Sequence, residues 1–132
     1  MAGPATAEGR PLSTTLTGAA EVPGPGDPDA AGTASITLNQ GLGEVCFNLS
    51  WQNIDGTVVA AHIHEAPAGV AGPVVVPLFT GAAFAGTGST SGCISDVSEE
   101  LIKAIRQNPQ DYYVNVHSTV FPAGGVRGQL GK

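Results

Sequence analysis

Apolar and polar residues alternate with a period of two along most of this chain, and that period belongs to β-strands. It is clearest over residues 44–51. There Val45, Phe47, Leu49 and Trp51 make an apolar row, and Glu44, Cys46, Asn48 and Ser50 make the polar one. Residues 33–38 repeat the pattern with Ala34, Ile36 and Leu38 inward. Over 58–64, Val59, Ala61 and Ile63 take the core face, and His62 and His64 take the outer one. Strands are also predicted over 12–18, 74–79, 112–117 (Val114 and Val116 inward) and 126–130, with a short one ending near Cys93. In the last strand Val126, Gly128 and Leu130 share one face, and Arg127 and Gln129 the other. Pro23, Gly24, Pro25, Gly26 and Pro28 mark a loop, as do Asp55-Gly56 and the stretch 65–73.

One segment changes period. Val97, Leu101, Ile102 and Ile105 form a helical stripe, so residues 96–107 read as a short helix. Asp96 with Glu99 three residues on has the spacing of a capping box, and Asn108-Pro109 ends the segment. About seven or eight short strands with frequent turn signals predict an all-β fold, an antiparallel sandwich or barrel, carrying one short helix.

Composition narrows the class. The chain has 132 residues, enough for one core, with 19 glycines and 10 prolines and only 12% charged residues. Residues 1–11 read as a flexible N-terminal segment, and 12–132 as a single domain. The net charge of −6 and the scattered basic residues argue against nucleic acid. No apolar run approaches the roughly 18 residues that span a bilayer. Two cysteines, few lysines and a polar start fit a mature chain, secreted or periplasmic, whose leader has been removed. In that compartment Cys46 and Cys93 favour a disulfide; two free thiols or soft metal ligands are the alternatives.

Candidate chemistry is concentrated in histidine. The chain has three, His62, His64 and His117, the last at the end of a predicted strand. Side chains two apart on a strand share a face about 7 Å apart at their bases. If the strand of His117 lies beside them, all three meet, and imidazoles of this kind suit copper or zinc. Glu65 and Asn115 are candidate outer-shell partners. Arg127 is a candidate anion guide or, equally, a structural clamp. The bland reading keeps the histidines as a structural polar cluster bonded to loop backbone.

Several separated motifs resemble the CHRD, or chordin-type, domain. They are Leu16-Thr17-Gly18-Ala19-Ala20-Glu21-Val22-Pro23, Ala61-His62-Ile63-His64, Gly72-Pro73-Val74-Val75, Tyr113 to Ser118 and Pro122 to Leu130. They cover about residues 12–131 in order. The resemblance implies a β-sandwich found in extracellular proteins. His62-Ile63-His64-Glu65 is also similar to the copper motif of the copper–zinc superoxide dismutases, which are Greek-key β-sandwiches. That similarity implies a copper site with His117 and Arg127 in the late positions, but the chain has no fourth histidine. Three functions follow as expectations: a copper-binding protein for storage, transport or buffering; an adhesive module with an extracellular protein partner; and a dismutase-like oxidoreductase.

Overall fold

The computed structural model describes residues 11–131. Its strands are β1 (Leu12–Thr17), β2 (Ala31–Asn39), β3 (Glu44–Gln52), β4 (Val58–Glu65), β5 (Val74–Phe79), β6 (Gly88–Ile94), β7 (Tyr112–Ser118) and β8 (Val126–Gln129). Helix α1 (Glu99–Gln107) and a 3-10 turn, Pro109–Asp111, lie between β6 and β7. The N-terminal segment predicted over 1–11 lies, apart from Pro11, outside the described residues.

All eight strands belong to one antiparallel sheet, in the order β5-β4-β7-β8-β1-β2-β3-β6. The sheet curls until its edge strands, β5 and β6, approach each other. The result is nearly a closed barrel, and the all-β expectation with one short helix holds. Read around the barrel, β3-β6-β5-β4 is a Greek-key order. No hydrogen-bonded ladder joins β5 to β6. An aromatic trio fills that seam instead. Trp51 of β3, Phe79 of β5 and Phe84 of the following loop have ring centroids 5.3–6.1 Å apart, and Trp51 Nε1–H donates to the Ala85 carbonyl at 2.9 Å. Pro77 sits in the middle of β5, exposed to solvent.

The core is the inward row read from the sequence. Ala34, Ile36, Leu38, Val45, Phe47, Leu49, Trp51, Val114, Val116 and Val126 are buried. Two local expectations are corrected. In β4 the inward residue is Val58, fully buried, while Val59 is half-buried. The pairing with β7 shifts between Val58 and Ala60, and such a bulge reverses side-chain parity. The helix starts later than predicted. Ser98, not Asp96, caps it, its hydroxyl accepting from Leu101 N–H at 3.1 Å. Asp96 is instead spent on a turn at φ 60°, and the next amide, Val97, bonds Gly43 across it. Ile102 and Ile105 bury the apolar stripe as expected.

Cys46 and Cys93 face each other across β3 and β6 and form a disulfide, with Cα atoms 3.9 Å apart. The thiol and soft-ligand alternatives are therefore excluded. Among the described residues no helix is long and apolar enough to cross a membrane.

Candidate metal centre

Strands β4 and β7 are neighbours, and their register builds the site. His62 lies opposite Asn115, His64 opposite Tyr113, and Ala60 opposite His117. Residues two apart share a face, so Tyr113, Asn115 and His117 stand on the same side as His62 and His64. Arg127 and Gln129 of β8 extend the same two rungs beside Asn115 and Tyr113.

This outer face is not open to solvent, as alternation alone implies. Every residue of β7 is buried. The apolar core covers one side, and the loops 18–30, 66–73 and 119–125 fold over the other. Asp27, fully buried, anchors the first of these loops. Its carboxylate accepts from the amides of Asp29 and Asp55, and its own N–H donates to the Gly125 carbonyl. Gly72 lets the second loop sit tight, because a Cβ there would overlap the Glu65 carbonyl.

The three imidazoles converge under these loops. Ring centroids are 4.8 Å apart for His62 and His117, 5.5 Å for His62 and His64, and 6.2 Å for His64 and His117. One ligand atom from each ring lies within 4.8 Å of those of the other two. Backbone carbonyls fix two of the rings. His64 Nδ1 is 2.9 Å from the Gly72 oxygen, and His117 Nδ1 is 3.0 Å from the Pro122 oxygen. A carbonyl can only accept, so both Nδ1 atoms carry the proton and both Nε2 lone pairs turn to the shared space. His117 Nε2 then accepts from His62 Nδ1 at 3.0 Å. His64 Nε2 lies 3.1 Å from Asn115 Oδ1.

Behind His64 is a three-layer stack. Tyr113 lies parallel to its ring at 4.8 Å with a 4° interplanar angle. The Arg127 guanidinium covers the other face of Tyr113, 3.4 Å from the ring centre. Arg127 is 1% exposed and donates to the Pro67 carbonyl and to Gln129 Oε1. It is thus a clamp between β8 and the 66–73 loop. The anion-guide reading fails, because the charge is shut away from solution behind Tyr113. Glu65 is also corrected as an outer-shell partner. It points to the opposite side from His64, is exposed, and hydrogen-bonds Tyr112. Asn115 does touch a histidine.

Sequence reasoning missed Glu21. It is 4% exposed, hydrogen-bonds Asn115, and feels the charge of Arg127. Its signal was an acidic residue inside the opening motif, at the start of a Gly/Pro-rich loop.

Burial dominates the titration of the site. It pushes the Glu21 carboxyl up to about 7, against the pull of Arg127 and the Asn115 hydrogen bond. It lowers His62 to about 4, helped by His117 and His64, and it lowers His117 despite the Pro122 hydrogen bond. The signs are opposed. Between pH 4.5 and 6.5, the ordinary values of the two groups, folding takes up a proton at Glu21 and releases one at His62. Histidine stabilisation is full above 6.5 and is lost on acidification, while the Glu21 contribution grows on acidification. The metal-free Glu21→Gln variant should therefore lose stability more steeply than wild type as pH falls through this window, by up to about 1.4 kcal/mol per pH unit. Urea midpoints measured across the range check this; parallel profiles would mean that Glu21 stays ionised in the fold.

No curated protein and no solved structure matches the chain. The CHRD domain family model matches residues 12–130, nearly its whole length. With the strand order, the disulfide and the histidine-bearing strands in place, the chain belongs to the CHRD domain family.

Proposed function

We propose that this domain is an extracellular or periplasmic copper-binding protein in which His62, His64 and His117 hold the ion for storage, transport or buffering. The observation that carries the reading is the fixed tautomers of His64 and His117. Each gives its Nδ1 proton to a backbone carbonyl and turns Nε2 inward. That is the usual arrangement around a ligating histidine. The low proton affinity of His62 and His117 adds to it, since a metal meets no competing proton at neutral pH. Imidazole donors suit copper, and zinc is the alternative cargo. The disulfide fits an oxidising compartment and so supports the export reading.

A second reading has its own support. The same hydrogen bonds tie His64 to Gly72 and His117 to Pro122, and His62 bonds His117, as a structural cluster in an adhesive module would require. The dismutase-like reading is weakened, because Arg127 is unavailable to steer an anion.

Calorimetric titration of metal-free protein with Cu(II) and with Zn(II), followed by electron paramagnetic resonance of the copper form, separates these. Binding of one ion with nitrogen hyperfine structure supports the copper reading. Tight binding of zinc alone changes the cargo. No binding of either ion leaves the interaction module.

A further inference from the structure

We propose that the side-chain oxygen of Asn115 is a fourth ligand to the metal, and that buried Glu21 fixes the amide so that this oxygen faces the site. The inference rests on the three-histidine reading above and completes its donor set.

The contact between His64 and Asn115 carries it. His64 meets an acceptor at both ring nitrogens, the Gly72 carbonyl at Nδ1 and the Asn115 oxygen at Nε2. A neutral imidazole has one proton and cannot serve both. With that proton on the Gly72 side, two lone pairs face each other across 3.1 Å in a buried place. Turning the amide over would cure this locally, but Glu21 stands on the far side of Asn115 and hydrogen-bonds it. At pH 8, above its value of about 7, the Glu21 carboxylate can only accept, so the amide NH₂ belongs to Glu21 and the oxygen to His64. Gly124 makes room for that carboxylate, since a Cβ at position 124 would overlap both of its oxygens.

A cation held between Nε2 and Oδ1 removes the conflict. Metal–nitrogen and metal–oxygen bonds of about 2 Å place neighbouring donors roughly 3 Å apart. The structure has two donor pairs at this separation, His64 with Asn115 at 3.1 Å and His62 with His117 at 3.0 Å. Asn115 stands directly across from His62 and two residues before His117, on the face that all the histidines share. The resulting set is three nitrogens and one neutral oxygen. It is closed by protein, as sites that hold a metal usually are, whereas catalytic sites keep a position open for water. The fourth donor thus argues for holding copper over turning a substrate over.

Water-proton relaxation of the Cu(II)-loaded full chain at pH 8 tests this. Wild type should show no copper-bound exchangeable water. Asn115→Ala should gain the increment of one bound water and lose affinity by about 10- to 100-fold. Asn115→Asp, which keeps an oxygen in place, should return the relaxation to the wild-type value. Glu21→Gln, which satisfies either sense of the amide, should move part of the way toward Asn115→Ala. Should Asn115→Ala fail to fold by circular dichroism, Asn115→Ser serves, its hydroxyl being too short to reach the ion. Equal relaxation in wild type and the Ala or Ser variant, with copper bound in both, overturns the fourth ligand and leaves the three-histidine site standing. Absence of copper binding in wild type overturns both.

Discussion

Replacing His62 and His64 together by alanine is expected to weaken Cu(II) binding by more than about 100-fold, since losing only an outer partner of a ligating histidine costs about 10- to 100-fold. The two rings stand on one strand at adjacent same-face positions, so a single segment, Ala61 to His64, supplies two of the three imidazoles. His117 alone, with its Nδ1 committed to Pro122, cannot chelate. The fold should survive, because the apolar core lies on the other side of β4. It should be weakened, however. His64 is 9% exposed, and its removal takes the imidazole donor from the Gly72 carbonyl, which keeps only the 3.5 Å contact from the Tyr113 hydroxyl, at roughly 1–3 kcal/mol for a buried group left poorly paired. Calorimetry gives the affinity and urea unfolding of the metal-free variant gives the stability. Unchanged copper affinity would remove the metal centre. Outright unfolding of the metal-free variant would favour the histidines as structural pins.

Arg127→Ala should cost about 3 kcal/mol or more, the range found when one member of a buried charged network is removed. Four things go at once: the cation over Tyr113, the hydrogen bonds to Pro67 and Gln129, the packing of a fully buried side chain, and the positive charge that offsets Glu21. In a domain of this size the midpoint of thermal unfolding should fall by roughly 10 °C. Arg127→Lys should recover only part of the loss, because an ammonium lacks the planar fork that stacks on Tyr113 while bonding two acceptors. A variant that melts like wild type but responds differently to small anions would restore Arg127 as a guide at the mouth of the site.

The fold was legible because strand alternation is local. Val45, Phe47, Leu49 and Trp51 announce their face without help from the rest of the chain. The histidine pair was legible for the same reason, as was its distance from the core row. What was hidden depends on contacts across the sequence. No local pattern says that three loops fold over the outer face of β4 and β7, and so the burial of Arg127 and the role of Glu21 were invisible. Parity also misled at one place, since a bulge beside Ala60 put Val58 inward in place of Val59. Glu65 misled for a related reason. It follows His64 directly in the motif, and direct neighbours on a strand point apart.

The open seam beside the aromatic trio has a consequence for how this protein behaves in company. A sheet that does not close offers two rims to which another copy can add a strand, the route to fibres. Here both rims are blunted. Pro77 deprives the middle of β5 of an amide hydrogen, and proline in such a place is a known guard against strand addition. On the other rim, β6 is rich in serine and glycine and stapled to its neighbour through Cys93. The molecule can therefore leave its barrel unsealed without its copies zipping together.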